Sequence, residues 1–252
     1  MAAGLIAQGS SMARTLQAIF PSDNALVAAE ALVVIVVAFI VAKTLRAPLS
    51  LSMSLVALLL GYSSSNHLPL DYAYTSTVVV MWVVAPIISV GFGFVFLKAI
   101  KRAKTRNVWW RVRVFKTLLV ACSFLAAYAL GTNTIGLMVA MGGFDTSTMI
   151  LSVLAILLGC MLLSEGEIRR VGRDLFSLRY SNALATLLVS TMLVEFATLI
   201  SIPLSSTQTL SAGVLGAGAA HRQKLFSLKP FLVIVAAWII VPALSFFVGY
   251  LL

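Results

Sequence analysis

The stretch SIPLSSTQTLSAGVLGAGA, residues 201–219, concentrates hydroxyl and amide side chains directly after a proline. A helix that starts after this proline has unpaired backbone N–H groups and the positive end of its dipole there, and both favour an anion. The side chains that add hydrogen-bond donors are Ser205, Ser206, Thr207, Gln208 and Thr209. The pattern predicts an oxyanion site. The alternative is helix packing, because Ser and Thr in apolar helices also bond to the preceding turn.

A second copy of this pattern lies earlier in the chain. When Pro48 is placed over Pro203, APLSLSMSLVALLLG (47–61) aligns with IPLSSTQTLSAGVLG (202–216) without a gap. Further along, WVVAP (82–86) matches WIIVP (238–242). Agreement of this kind predicts an internal duplication. We therefore expect the serines of the first copy to form the other half of the anion site, and these are Ser50 and Ser52.

The elements that must position these residues are membrane helices. The chain has 252 residues, of which 61% are hydrophobic and 10% charged, and its mean hydropathy is +1.05. This composition lies outside the range of soluble domains. Apolar runs suited to crossing a bilayer, which needs about 20 residues, occur at 26–42, 78–97, 117–130, 148–163, 183–200 and 231–252. We predict an all-α, polytopic integral membrane protein of the cell membrane, embedded in the lipid bilayer.

The net charge of +10 indicates topology and not nucleic-acid binding. Basic residues concentrate in KAIKRAKTRNVWWRVRVFK (98–116), which predicts a cytoplasmic loop. The basic segments 165–179 and 221–229 are predicted inside as well. Residues 63–72 and the turn at 142–147 contain no Lys or Arg and are predicted outside.

With this topology the two copies face opposite ways, which predicts an inverted repeat. The first repeat would cover residues 1–100 with a hairpin at 24–61, and the second 114–252 with a hairpin at 182–219, joined by a loop at 101–113. Transporters built from such repeats place re-entrant hairpins or broken helices, and the substrate between them, near the bilayer midplane.

A second interruption is predicted at GTNTIGL, residues 131–137. Two glycines bracket Thr132, Asn133 and Thr134 in an apolar segment, so we expect a broken helix at 131–136. Irregular backbone at membrane depth is tolerated only where protein or a water-filled cavity satisfies it. We predict that these three polar residues lie close to the anion site, with a simple packing kink as the alternative.

Three charged residues within the apolar segments are candidates for function. Lys43 and Arg46 precede Pro48 and would balance an anion if the hairpin tip reaches the midplane, or extend to the interface if it does not. Glu195 would carry a proton, bind a cation or pair with a basic neighbour, and of these we favour the ion pair.

These motifs resemble those of the inorganic phosphate transporter (PiT) family. PLSSTQTLSAGVLGAGA resembles the family's duplicated P-[VI]-S-T-T-H-T motif, with Gln208 in place of the His. GTNTIGL resembles the G-A-N-D-V-A-N motif, with Thr134 in place of the Asp and Leu137 in place of the last Asn. The first copy of that motif is reduced to something like AAGLIAQGSS, so the chain start looks shortened.

The resemblance implies a secondary transporter of inorganic phosphate, coupled to sodium or protons, with no cofactor and no nucleic-acid partner. A carrier of sulfate or another tetrahedral oxyanion and a non-transporting membrane scaffold are the alternatives, and a homodimer is left open. The sequence shows no nucleophile with an adjacent base and no phosphate-binding glycine loop followed by Lys, so we predict that it is not an enzyme. Gly213, Gly216 and Gly218 are interpreted as helix-packing positions.

Overall fold

The fold is helical throughout the described part of the chain. A computed structural model describes residues 1–22, 24–44, 49–102, 108–170, 180–220 and 228–252, without the side chains of 43, 44, 108, 163–170 and 228–233. The helices are α1 (Ala2–Gln8), α2 (Ala13–Ile19), α3 (Ala25–Thr44), α4 (Leu51–Ser65), α5 (Tyr72–Arg102), α6 (Val108–Leu130), α7 (Gly136–Gly142), α8 (Thr146–Arg170), α9 (Tyr180–Leu199), α10 (Ser206–Ala220) and α11 (Leu228–Leu251). A 3₁₀ segment, Gly9–Met12, joins α1 to α2.

Most of the predicted spans lie in helices that are long enough to cross a bilayer. Within the described residues, five segments meet the length and hydropathy of a span: Ala25–Ala42, Tyr72–Arg102, Trp109–Gly142, Tyr180–Leu199 and Ile234–Leu251. The run predicted at 148–163 lies in α8, whose apolar part Thr146–Leu162 is shorter. The prediction of a multi-pass helical membrane protein is confirmed.

The segment predicted as a broken helix forms a π turn. Gly131–Ile135 joins α6 to α7, and the flanking residues Leu130 and Gly136 keep right-handed helical angles. The helical path therefore continues through the predicted interruption while its winding widens. Thr132, Asn133 and Thr134 are all buried in this turn. Single π turns inside α-helices occur frequently at functional sites.

The two predicted hairpins have matching dimensions. In the first, α3 has 20 residues and α4 has 15, and in the second, α9 has 20 and α10 has 15. At 1.5 Å per residue the 15-residue arms are about 22 Å long, shorter than the ~30 Å hydrocarbon core. These arms are the length expected of half-helices that start inside the membrane.

Each short arm packs against a helix of the other predicted repeat. The first copy's α4 packs against α11 of the second copy, and α10 of the second copy packs against α5 of the first. Both contacts bring backbones together at the duplicated glycine. A methyl group on Gly61 would lie 2.0 Å from the Phe246 carbonyl oxygen, and one on Gly216 would lie 2.0 Å from that of Val90. Small residues allow this close approach, so the predicted packing role of Gly216 is confirmed.

The main apolar core surrounds the link of the second hairpin. It includes Leu55 and Leu58 of α4, Trp82 of α5, and Ile202 and Leu204 of the link itself. The link between α9 and α10 is therefore enclosed by helices from both repeats. Its backbone polar groups must be satisfied by protein, because this position excludes bulk water.

Candidate anion site

The second hairpin turns through a Schellman-type closure at the end of α9. Ser201 adopts φ 58, and its N–H donates to the carbonyl of Thr198 at 2.9 Å. The N–H of Ile202 donates to the carbonyl of Ala197 at 2.7 Å. This pair of bonds satisfies carbonyls at the helix end, and it commonly places glycine at the left-handed position. Here a serine occupies that position, and other groups hold it there.

Two hydroxyls from the first repeat hold Ser201. The Thr15 hydroxyl donates to its carbonyl oxygen at 2.5 Å, and the Tyr74 hydroxyl donates to the same oxygen. Thr15 is fully buried. Since the link carries no glycine, these contacts fix the direction in which the chain enters the apolar core.

Asn133 of the π turn holds the next part of the link. Its amide nitrogen donates to the Thr198 hydroxyl at 2.9 Å and to the Ile202 carbonyl at 3.0 Å. Its amide oxygen accepts from the N–H of Leu204 at 3.0 Å. Asn133 is fully buried. Both of its N–H donors are used within the protein, so it positions the link and keeps one lone pair for other partners.

The two short arms begin with equivalent serine caps. The Ser205 hydroxyl accepts from the N–H of Gln208 at 3.2 Å, and the Ser50 hydroxyl accepts from that of Met53 at 3.4 Å. Ser50 and Ser205 are the positions that the duplication aligns. A cap satisfies one of the unpaired N–H groups at a helix start. Both predicted site serines thus serve the starts of α4 and α10.

The starts of α4 and α10 lie against each other. The Ser52 hydroxyl donates to the carbonyl of Leu204, directly before the α10 cap, at 3.3 Å. Trp82 of α5 secures this place, because its indole N–H donates to the Pro203 carbonyl at 3.0 Å. The Trp82 carbonyl in turn accepts from the Gln208 amide nitrogen at 3.0 Å. The duplicated motifs therefore converge at one place in the fold.

Several polar groups at this place remain available for a ligand. The N–H groups of Ser206 and Thr207 have no acceptor within α10, because they belong to its first turn. The Thr207 side chain is exposed and that of Ser206 is partly exposed. Among the described residues, the buried Ser54 hydroxyl and the Gln208 amide oxygen have no hydrogen-bond partner. Buried polar atoms without a partner are rare in native structures.

Comparison with known proteins identifies the family of the chain. The chain matches the phosphate transporter family over residues 1–249. The chain belongs to the phosphate transporter family. This confirms the family resemblance of its motifs and the prediction that it is not an enzyme.

The relatives that this chain resembles are distant from it in sequence. The chain is 24% identical over 211 residues to a putative phosphate permease of Methanocaldococcus jannaschii, covering 82% of this chain and 68% of the relative. It is 24% identical over 194 residues to a probable low-affinity inorganic phosphate transporter of Bacillus subtilis, covering 70% of this chain and 58% of that protein. The chain thus spans about three fifths to two thirds of these relatives.

A solved structure shows the same fold. The chain superimposes on a sodium-dependent phosphate transporter with a TM-score of 0.81, covering 98% of this chain and 85% of the other. The two sequences are 16% identical. At this level of identity, the similarity shows that the two chains share a fold.

The remaining predicted site residues occupy different positions. The Thr132 hydroxyl donates to the Ala129 carbonyl of its own helix at 2.9 Å, and Thr134 is buried in the π turn. Arg46 and the Lys43 side chain lie outside the described residues. Glu195 lies on α9, and it forms no ion pair with any group in the described part of the chain. The favoured ion pair of Glu195 is therefore not formed with those groups.

Sequence reasoning missed the residues that hold the link from other helices. These are Thr15, Tyr74, Trp82 and Thr198. Only Trp82 carried a signal, because it belongs to the duplicated Trp-x-x-x-Pro motif. The others are single polar residues in apolar helices, and the sequence does not show which backbone groups they meet.

Proposed function

We propose that this chain is an ion-coupled secondary transporter of inorganic phosphate in the cell membrane, binding its substrate where α4 and α10 begin. The observation that supports the proposal is the meeting of two capped helix starts in a chain of the phosphate transporter family. Two helix starts present two sets of backbone N–H groups and two positive dipole ends. Together they suit a tetrahedral oxyanion.

The residues that form and position the substrate site come from both predicted repeats in this proposal. The second repeat contributes Ser205, Ser206, Thr207 and Gln208, the first contributes Ser50 and Ser52, and the π turn contributes Thr132, Asn133 and Thr134. Within this set, the contacts of Ser205 and Asn133 mark them as positioning residues. The N–H groups of Ser206 and Thr207 are the ones that would contact the anion.

Phosphate is favoured over sulfate by the unpaired oxygen of Gln208. This amide oxygen is a pure acceptor, and its orientation follows from the bond of the amide nitrogen to the Trp82 carbonyl. Phosphate near neutral pH carries at least one O–H donor, whereas sulfate carries none. A site with a buried acceptor discriminates against a ligand that leaves the acceptor unpaired.

The coupling ion in this proposal is sodium or a proton. The structural relative is named as sodium-dependent, which describes that protein. In this chain a coupling cation would offset the negative charge of phosphate during transport through the low-dielectric bilayer. Uptake driven separately by a sodium gradient and by a pH gradient distinguishes the two ions.

Binding is tested by thermal stability of the purified protein in phosphate, sulfate or chloride. A ligand at 100 times its Kd stabilises the folded state by about 2.7 kcal/mol. For a chain of this size that corresponds to a rise in Tm of about 5–11 °C. We expect the rise with phosphate, and uptake of labelled phosphate into proteoliposomes. A membrane scaffold would show neither anion-dependent stabilisation nor uptake.

Changing Ser205 and Ser206 together to Ala tests the site itself. The variant keeps the backbone N–H groups and removes the Ser206 hydroxyl together with the Ser205 cap that positions the α10 start; since one hydrogen bond to a charged ligand is worth about 1.5–3 kcal/mol, phosphate binding should weaken at least about tenfold. Because Ser205 caps α10, the double variant also loses about 0.5–2 kcal/mol of stability. Asn24→Ala removes the side-chain cap of α3 away from the site and is the matched control. Wild-type phosphate affinity in the folded double variant would refute the site.

A further inference from the structure

A basic surface, which we call the basic end, lies where α5 ends and α6 begins. Its described basic side chains are Lys98, Lys101, Arg102, Arg111, Arg113 and Lys116. Arg111 is half-buried and the others are exposed. Lys98 is about 24 Å along α5 from Trp82, so the basic end is separate from the proposed phosphate site. A surface of one sign attracts ligands of the opposite sign.

Arg111 joins the two helices into one surface. Its guanidinium donates to the carbonyl of Ile100, in the last turn of α5, at 3.4 Å. The carbon of this guanidinium lies 5.3 Å from the centre of the Phe115 ring, and the Lys98 ammonium lies 5.5 Å from the centre of the Phe94 ring. Cations are attracted to the faces of aromatic rings. A guanidinium carries several N–H donors, so Arg111 keeps donors for a ligand.

No carboxylate of the described helices around the basic end neutralises it. The sequences of α5, α6 and α10 contain no Asp or Glu. In α9, Glu195 lies about 15 Å along the helix from Ala185, which packs with Leu97 of α5. The end of α10 lies beside the basic end, because the Lys101 ammonium donates to the Ala220 carbonyl at 3.1 Å. These helices therefore do not balance the positive charge.

The cations of the basic end repel one another within each helix. Lys98 and Arg102 are four residues apart on α5, and Arg113 and Lys116 are three residues apart on α6. Side chains at these spacings are neighbours, and like charges there are destabilising. Within the described residues, Arg102, Arg113 and Lys116 have neither an ion pair nor a side-chain hydrogen bond. An anion that contacts both helices would relieve this repulsion.

The length of α5 places the basic end at the depth of the lipid headgroups. This helix has 31 residues and is about 46 Å long, whereas the hydrocarbon core is about 30 Å thick and the bilayer with its headgroups about 40–45 Å. At the start of α6, Trp109 and Trp110 are 83% and 54% exposed. Exposed tryptophans are typical of the interface between hydrocarbon and water. The anions that this surface meets are therefore those of lipid headgroups.

We propose that the basic end binds the headgroup of an anionic phospholipid, such as phosphatidylglycerol. Arg102, Arg113 and Lys116 attract its phosphodiester, and Trp109 packs against its glycerol and first acyl carbons. Clusters of about four to eight Lys and Arg next to a membrane helix are typical of sites for anionic lipids, and a guanidinium binds phosphate oxygens through paired hydrogen bonds. The proposal is independent of phosphate transport, because it uses none of the residues of the substrate site.

Lipid binding is measured as the thermal stability of the purified protein in an uncharged detergent at low salt. Phosphatidylglycerol at ten times its apparent Kd should raise the wild-type Tm by about 3–6 °C, and phosphatidylcholine should not. Each basic residue near an anionic surface contributes about fivefold to binding, so Arg113→Gln should weaken it about fivefold. The triple change of Arg102, Arg113 and Lys116 to Gln should weaken it about 100-fold.

Arg14→Gln is the matched control for the single variant. Arg14 is exposed on α2, and α2 lies near the opposite end of α5, because the Ala18 carbonyl accepts from the N–H of Asp71 at 3.1 Å. The control should keep the full response to phosphatidylglycerol. The proposal is overturned if wild type and the triple variant respond equally to this lipid.

Soluble anions separate a lipid site from two other kinds of partner. Inorganic phosphate at the same concentration should not displace phosphatidylglycerol from the wild type. Displacement would show that the basic end binds free phosphate, and the lipid assignment would be wrong. Polyglutamate takes the place of an acidic protein. If polyglutamate stabilises the wild type and phosphatidylglycerol does not, the partner is an acidic protein and the proposal is overturned.

Photolabelling of the wild type covers the case in which the triple variant does not fold. A phosphatidylglycerol with a photoreactive group near its glycerol is added, and mass spectrometry locates the adducts. They should lie in the last turns of α5 or the first turns of α6. Labelling should decrease as the ionic strength rises from about 0.01 to about 0.15 M, because the screening length falls from about 30 to about 8 Å. Adducts only in other helices, or labelling that salt does not change, would overturn the proposal.

Discussion

Replacing Asn133 with Ala tests whether the π turn holds the link of the second hairpin. The substitution removes three hydrogen bonds, to Thr198, Ile202 and Leu204. The Thr198 hydroxyl keeps its bond to the Val194 carbonyl at 2.8 Å. The Ile202 carbonyl and the Leu204 N–H lose the partner that Asn133 provides, in residues that are 3% and 0% exposed.

The expected destabilisation follows from these two backbone groups. A buried donor or acceptor left without a partner costs about 1–3 kcal/mol, so the pair costs about 2–6 kcal/mol. The average value of about 0.6 kcal/mol for interhelical hydrogen bonds in membranes, applied to three bonds, agrees with the lower end. For a chain of this size the lower and upper limits correspond to a fall in Tm of about 4–24 °C.

The assay is thermal unfolding of the purified variant in detergent, with Asn66→Ala as the control. Asn66 is exposed and donates to the Tyr62 carbonyl of the preceding turn at 3.1 Å, so its replacement should leave Tm almost unchanged. Phosphate affinity should also fall in Asn133→Ala, because the α10 start is displaced. If the Tm of Asn133→Ala falls no further than that of Asn66→Ala, the positioning role is wrong.

Three further predictions concern topology, charge and packing. Single cysteines introduced in 63–72 should react with an impermeant maleimide from outside, and those in 103–108 only after permeabilisation; the reverse pattern would exclude this orientation. Neutral replacements of Lys43 and Arg46 should weaken phosphate binding more than the same changes at the arginines late in α8, and equal effects would indicate a surface role. Gly216→Ala should destabilise the fold, because its methyl group would lie 2.0 Å from a carbonyl oxygen of α5; an unchanged Tm would contradict that close contact.

The helices and the starts of the two short arms were predictable because local rules decide them. Long apolar runs specify spans, and a proline followed by serines specifies the start of a short arm at Ser50 and Ser205. The duplication also relates positions that are far apart in the chain, because it aligns Gly61 with Gly216. Both glycines proved to be points of close backbone approach.

The partners of the link were not predictable from the sequence. Asn133 bonds to groups that are 65–71 residues away, and Trp82 bonds to Pro203 across 121 residues. Local patterns carry no information on such separations. The left-handed backbone conformation of Ser201 was not predictable from the sequence either. This conformation usually requires glycine, and here tertiary hydrogen bonds hold it.

The role of Ser205 shows why a count of hydroxyls overstates the side-chain donors at a helix start. The sequence indicates a donor for an anion, but in the structure the Ser205 oxygen accepts from the Gln208 N–H and lies 3.0 Å from the Thr207 hydroxyl. A cap oxygen faces the same N–H groups that an anion would need, so capping and binding compete within one turn. With Ser205 satisfying the third turn position, the N–H groups of Ser206 and Thr207 are left for the ligand. Side-chain variants should therefore weaken phosphate binding in steps, and the backbone contribution should persist in each of them.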